Sequence, residues 1–533
     1  MKIMAEGYLA LVLHAHLPFI RHPEYGNFLE ENWLFEAITD TYVPLISVFD
    51  GLLNDNVDFR VTISVSPTLI SMLRDELLVG RYSKYLDQLI RLTEMEVKRT
   101  KYAEDFNKLA VMYREKYKHV RYVFFKEYGG DLTTAFKKFQ DLGKVELITC
   151  PATHAYLPLM DINRKAVRAQ VKVGLDLFTD IFKKKPKGIW LPECGYHPGH
   201  EEILDEFGIK YFFIETHGLR LGSPKPKYDV YSPYLCNNSN VAVFARDPKS
   251  SKAVWSAREG YPGDSRYREY YRDIGFDLEY DYIRPFINAC GRRVNTGIKY
   301  YRVTGSGGHK DVYDRVEALK ATREHADHFL EDRVKHIKSL SETMDRPPVI
   351  VAPYDAELFG HWWFEGPEWL ECLLRKINSS SGTLKLTTPS EYLSMNKDHI
   401  RVQPTMSSWG YGGYSEVWLN GANDWIYKHL HKMAELMTKA AEDYDSPSDI
   451  ERQALNQMAR ELMLAEASDW AFIMKTGTFT EYAQNRTREH ISRFILLHNG
   501  LRGGNIDVDS IEKAQNKYNL FKDIDYKVYA GGA

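Results

Sequence analysis

The chain has little that would tie it to a membrane, a nucleic acid or an oxidising compartment. No apolar stretch approaches the roughly 18 residues that span a bilayer, and no apolar leader core follows Met1. A formal net charge of −3 leaves no surplus of cations to neutralise a phosphate backbone or an anionic lipid surface. Five cysteines, Cys150, Cys194, Cys236, Cys290 and Cys372, are odd in number, scattered and without C-x-x-C spacing, which excludes a disulfide framework and a zinc knuckle. No nucleophile elbow, Walker loop or dinucleotide-binding glycine motif stands in a strand context. These absences predict a soluble, cytoplasmic protein with neither nucleic acid nor membrane as a partner.

Aromatic residues, by contrast, are plentiful, with 35 Tyr and 10 Trp. Two apolar runs each end on a carboxylate among such rings: Ile189-Trp190-Leu191-Pro192-Glu193-Cys194-Gly195-Tyr196 and Val349-Ile350-Val351-Ala352-Pro353-Tyr354-Asp355-Ala356-Glu357. Short apolar runs bounded by Gly or Pro read as buried parallel strands, and in barrels of such strands the chemistry sits at their carboxyl ends. Glu193 and Asp355 would then meet above one mouth. Two carboxyl groups flanking a bond, with aromatic faces to hold a ring, are the requirements of glycosidic chemistry. Glu357 lies on the same side of an extended segment as Asp355, so the residues alone leave either as the acid.

Further strand-length runs occur at Tyr8–Leu13, Phe59–Ser64, Glu146–Cys150, Tyr211–Ile214, Val241–Ala245 and, more weakly, Leu384–Thr388, most of them separated by helical patterns. Several release a titratable or hydroxyl group at the carboxyl end: His14 and His16, Ser66, His154, Glu215, Arg246. At 533 residues the chain needs more than one structural unit. We expect a distorted α/β barrel of about seven strands over 1–399, with a charged helical insertion over 72–141 and an irregular segment rich in Tyr, Arg and Gly over 224–313 overhanging the mouth. From 400 to 533 the periodicity turns helical, with stripes at Ile426, Leu430, Met433, Met437 and at Leu455, Met458, Leu462, Ala465. The second stripe continues in phase onto Asp469, a carboxylate in a core position, which needs a partner in a polar cleft.

His14-Ala15-His16 is an alternating pair. It could form a metal site completed by His154 and a carboxylate, donate to sugar hydroxyls as neutral imidazoles, or be structural. No two histidines are four apart, which counts against a catalytic metal. Trp362, Trp363, Trp409, Trp418 and Trp425 form a second aromatic concentration, and Gly410, Gly412 and Gly413 make the segment around Trp409 a loop. Each ring suits either sugar stacking or burial between domains.

In this order, His14-Ala15-His16-Leu17-Pro18, Cys150-Pro151-Ala152-Thr153-His154, Trp190-Leu191-Pro192-Glu193, Ala352-Pro353-Tyr354-Asp355 and Ala467-Ser468-Asp469-Trp470 resemble the five motifs of glycoside hydrolase family 57. Within it, the segment Ser408–Leu419 and the insertion Tyr261–Asp277 resemble the 1,4-α-glucan branching subgroup. The resemblance implies a (β/α)7 barrel with a helical C-terminal domain, retention of anomeric configuration, no metal or cofactor in catalysis, and an α-1,4-glucan as substrate. It puts Glu193 in the nucleophile position and Asp355 in the acid/base position, a pair that must stand about 5 to 5.5 Å apart for direct attack. His14, His16, His154 and Asp469 would hold the donor sugar, Trp409, Trp418, Trp470 and the loop around 230–270 would govern the acceptor, and Trp255, Arg258, Trp363 and Ser468 are further substrate-binding candidates. A mobile loop tyrosine is also implied, for which Tyr231 and Tyr234 are the candidates. The alternatives are a 4-α-glucanotransferase or α-amylase of the same family, a metal-dependent carbohydrate deacetylase, and a non-catalytic glucan-binding protein.

Overall fold

In the computed structural model, which describes residues 5–256, 259–287, 292–305, 309–380 and 382–531, the apolar runs become strands buried on both faces. Nine strands form among the described residues: β1 (Gly7–Ala15), β2 (Val61–Val65), β3 (Val145–Ile148), β4 (Gly188–Ile189), β5 (Tyr211–Ile214), β6 (Tyr234–Leu235), β7 (Ala242–Ala245), β8 (Val349–Asp355) and β9 (Leu384–Leu386). One sheet runs β3-β2-β1-β8 and a second β4-β5-β7-β6. All pairs are parallel except β6 with β7. The weak run after Leu384 is a short strand beside Gly7–Leu9, on the edge of β1 that β2 takes over from Val12 onward.

Hydrogen bonds join the two sheets at both margins. Trp190 N–H donates to Thr149 O at 2.8 Å, and Asp247 N–H donates to Val351 O at 2.9 Å. Strand alternation then decides what each residue sees. Ala10, Val12, Cys150, Trp190, Phe213, Phe244, Val349 and Val351 pack together on the inner side. Leu9, Leu11, Leu13, Phe212, Val243 and Ile350 face the helices. His14 and Asp355 share the inner parity, so the strand period alone carries them to the top of the inner cluster. There the His14 ring stacks on Trp190 at 4.8 Å. Gly188 is required in β4, because a Cβ there would lie 2.2 Å from the Tyr211 ring.

Helices Glu76–Arg99, Glu104–Tyr122 and Leu132–Asp141 occupy the connection between β2 and β3. Asp75 caps the first by accepting from Leu78 N–H at 3.0 Å. The irregular connection before β8 is organised by the buried carboxylate of Asp273, which accepts from the backbones of Gly275, Thr296 and Gly297. Tyr282 and Tyr300 of this segment donate to Glu96 at 2.9 and 2.8 Å. This part of the segment therefore packs on the helices that follow β2. Its phenols satisfy buried carboxylates there, which a composition rich in Tyr and Arg does not distinguish from ligand binding.

The C-terminal region is helical: Tyr427–Asp443, Asp449–Ala465, Ser468–Thr476, Thr480–Gly503 and Val508–Lys517. Both apolar stripes are buried. An antiparallel bridge between Ala155 and Ala467, with Ser468 N–H donating to His154 O at 3.0 Å, docks this region on the carboxyl end of β3. No described helix is long and apolar enough to cross a membrane.

Candidate active site

The chain turns sharply after β4. Glu193 and Cys194 adopt φ of 64° and 50°, and His154 adopts 60°. Left-handed backbone at a residue other than glycine costs on the order of 1–3 kcal/mol and persists only where the surroundings enforce it. Around Glu193 the enforcement is visible: Trp409 N–H donates to Glu193 O at 2.9 Å, and Tyr196 N–H donates to Ser407 O at 2.9 Å. The Glu193 carboxylate also accepts the Trp409 indole N–H at 2.8 Å and the Ser468 hydroxyl at 3.1 Å. Gly410 lets the loop close, since a Cβ there would sit 2.7 Å from the Trp418 ring.

Behind Glu193 runs a chain of polar contacts. His14 Nδ1 meets Ser64 Oγ at 3.2 Å, His14 Nε2 meets His154 Nε2 at 2.9 Å, and His154 Nδ1 meets Ser468 Oγ at 2.9 Å. Because Ser468 gives its proton to Glu193, His154 must donate from Nδ1 and accept at Nε2. His14 then donates from Nε2 and accepts from Ser64. Burial, with the charge of His16, pushes both imidazoles well below their usual range, so they are neutral as this chain requires. His16 Nε2 lies 3.1 Å from each oxygen of Asp469. His16, His154 and Asp469 stand close enough to share a cation, but both His154 nitrogens and both Asp469 oxygens are engaged. The arrangement fits a metal poorly and a hydrogen-bond relay well.

Asp355 ends β8, half-buried, and among the described residues its carboxyl accepts no hydrogen bond. Burial, with the charges of Glu357 and Glu193, lifts it well above the usual carboxylate range against the pull of Arg246. Glu193 is pushed up to about 7, by burial and by Asp469, while the Trp409 and Ser468 bonds pull the other way. Glu357 lines the same cavity and is held at one of its oxygens. It accepts the Tyr42 hydroxyl and the His16 backbone N–H. Of the two candidates for the acid, Glu357 accepts two hydrogen bonds on one oxygen, whereas Asp355 accepts none among the described residues.

Both carboxyls line one cavity of about 900 Å³, walled by Trp255, Trp409, Tyr411, Trp418 and Phe472 and edged by Arg246, Asp469 and Lys475. The family model for glycosyl hydrolase family 57 matches residues 10–407. The chain belongs to this family. A model described as the C-terminal domain of 1,4-alpha-glucan branching enzyme matches residues 429–529. The chain is 34% identical to a 1,4-alpha-glucan branching enzyme of Thermococcus kodakarensis over 97% of its own length and 78% of the relative's. The crystal structure of the α-amylase AmyC of Thermotoga maritima is similar at a TM-score of 0.93 with 44% identity, covering 99% of each chain. That of a family 57 branching enzyme of Pyrococcus horikoshii is similar at 0.89 with 34% identity, covering 99% of this chain and 97% of that one.

In this member of family 57 the expected site residues divide. Glu193, Asp355, His14, His16, His154, Trp255, Trp409, Trp418 and Asp469 line the cavity. Ser468 reaches it through Glu193. Trp363 and Trp470 do not line it: both are buried, and the Trp470 indole donates to Leu464 O. Their placement as sugar platforms is corrected to core packing. Trp418 forms part of the wall but is itself buried and stacked on Tyr156 at 4.4 Å. Tyr231 and Tyr234 are buried away from the cavity. The first reaches Asp247, and the second accepts from Tyr228 N–H. Arg258 lies outside the described residues. Tyr411, Glu416 and Phe472 were missed as lining residues, and Tyr42 as the partner of Glu357. For Tyr411 the signal was its place in the glycine loop; for Tyr42, in a helix far from any motif, there was none.

Proposed function

We propose that the chain is a retaining α-glucan transglycosylase that cleaves α-1,4 linkages of an amylose-like or glycogen-like polymer and forms α-1,6 branches, working in the cytoplasm. The observation that carries this reading is the unequal treatment of two carboxyls in one cavity. Glu193 accepts two hydrogen bonds that favour its anion. Asp355 accepts none and feels two neighbouring negative charges. When the pair holds one proton, that proton stays on Asp355. Glu193 then attacks the anomeric carbon, and Asp355 protonates the departing glucan oxygen. A covalent glucosyl-enzyme forms. Asp355, now a base, takes the proton of an incoming 6-hydroxyl, and Glu193 leaves as carboxylate. His16 and Asp469, at the cavity wall, are placed to hold donor hydroxyls.

We read β1, β2, β3, β4, β5, β7 and β8, closed through Thr149–Ile189 and Asp247–Val351, as a distorted (β/α)7 barrel over 1–399. Residues 72–141 are its helical insertion, and 400–533 a helical domain that lends Ser468 and Asp469 to the cleft. A second reading, hydrolysis with water as acceptor, is favoured by the 44% identity with a protein described as an α-amylase. One assay separates them. After incubation with amylose, side chains releasable by isoamylase support branching; new reducing ends without such side chains overturn it in favour of hydrolysis.

A further inference from the structure

Outside the sugar cavity, three side chains converge with no hydrogen-bonding use for their convergence. Asp161 closes the short helix Leu157–Met160, and His197 and His200 follow the Glu193 turn. His197 Nδ1 lies 3.1 Å from one Asp161 oxygen, and His200 Nε2 lies 3.6 Å from the other. The three ligand atoms all fall within 4.8 Å of one another. Yet Asp161 Oδ1, His197 Nδ1 and His200 Nε2 are each buried and make no hydrogen bond. For His197, at 3.1 Å, that failure means the ring nitrogen does not aim at the carboxylate oxygen; His200, at 3.6 Å, stands just beyond hydrogen-bond reach.

We propose that Asp161, His197 and His200 form a binding site for a divalent transition metal of the zinc type. Metal–ligand bonds of about 2.0–2.1 Å put the ligand atoms of a tetrahedral site about 3.3 Å apart, close to the 3.1 and 3.6 Å by which the two ring nitrogens stand from the Asp161 carboxylate. Two imidazoles and one carboxylate suit Zn²⁺, Co²⁺ or Ni²⁺ rather than Mg²⁺ or Ca²⁺, which take oxygen shells. The His197 side chain is 43% exposed, which leaves a path for the ion and room for water to complete its coordination. Gly199, at φ 104°, turns the chain so that residues 197 and 200 face Asp161; Arg164 fills the space its Cβ would take. Loading the metal gives up one contact, the 3.3 Å approach of His197 N–H to His200 Nδ1, because the ring proton moves to Nδ1. The bound ion would tie the segment after Glu193 to the connection preceding helix Arg164–Phe182.

The test is calorimetric titration of the chelator-stripped, full-length protein with Zn²⁺, paired with the visible spectrum of the Co²⁺ form. One-to-one binding, an intense tetrahedral Co²⁺ spectrum and a Zn²⁺-dependent rise in Tm on the order of 2–5 °C are expected. In His197→Ala, chosen because its exposed ring can be removed without emptying the core, affinity should fall at least about tenfold, with circular dichroism and glucan turnover unchanged. Asp161→Asn should do the same. Absence of one-to-one binding, or equal affinity in His197→Ala, overturns the proposal. So does binding that is lost in His16→Asn but kept in His197→Ala, which would place the ion in the sugar cavity.

Discussion

Trp409 holds Glu193 twice, donating its backbone N–H to the Glu193 carbonyl at 2.9 Å and its indole N–H to the carboxylate at 2.8 Å. The tryptophan of the glycine-rich loop is therefore a partner of the proposed nucleophile as well as part of the cavity wall. Its ring is fixed from other sides by Trp190 at 5.1 Å, Trp255 at 6.1 Å and the Arg246 guanidinium at 5.8 Å.

Trp409→Phe keeps an aromatic wall and removes the indole donor. A hydrogen bond to a charged group is worth about 1.5–3 kcal/mol, so kcat should fall by about 10- to 100-fold. The bond favours the Glu193 anion, so its loss should also move the acid limb of the pH–rate profile to higher pH. An unchanged acid limb would show that the indole does not act on the nucleophile.

Glu357→Gln removes a like charge beside Asp355 while keeping the size of the side chain. The proton on Asp355 should be held less tightly, and the alkaline limb of kcat against pH should move to lower pH. Retention of the limb with a lower rate would assign Glu357 a structural role only.

The stability of the protein should carry the mark of Glu193. A carboxyl raised from 4.5 to about 7 on folding contributes stability that is complete below 4.5 and is lost as pH rises through about 7. The loss is about 3 kcal/mol at most. Glu193→Gln should accordingly raise Tm relative to the parent at pH 8 and not at pH 4.5. Equal effects at both pH values would contradict the raised pKa.

Two aromatic rings of the cavity wall should respond differently. Trp418→Ala empties a buried, stacked position, and the denaturation midpoint should fall by the equivalent of about 3–5 kcal/mol. Tyr411→Ala, on an exposed part of the cavity wall, should leave stability alone and raise the ratio of hydrolysis to transfer. If Trp418→Ala changed only that ratio, its reading as core would fail.

What could be read beforehand follows from strand period. The inner parity of β1 and β8 carries His14 and Asp355 to the same place, and apolar runs mark strands buried on both faces. The phase of the helical stripe through Leu462 and Ala465 carries Asp469 to the cleft. Tryptophans were harder. The residues beside Trp409, Trp418, Trp363 and Trp470 do not separate wall from core, because for Trp418 the deciding partner, Tyr156, is distant in the chain. The hydrogen bonds that favour the Glu193 anion come from Trp409 and Ser468, both more than 200 residues from Glu193 in the chain, so no local pattern reports them.

The central claim, that Glu193 attacks and Asp355 serves as acid and base, is tested most directly by trapping the intermediate. Asp355→Asn should still react with an α-maltosyl fluoride, whose leaving group needs no acid, but should release the sugar slowly. Mass spectrometry of the quenched protein should find one glycosyl adduct on the peptide containing Glu193, absent when Glu193 is also changed to Gln. An adduct on Glu357 or Asp469, or full turnover of the fluoride by the double variant, would contradict the account.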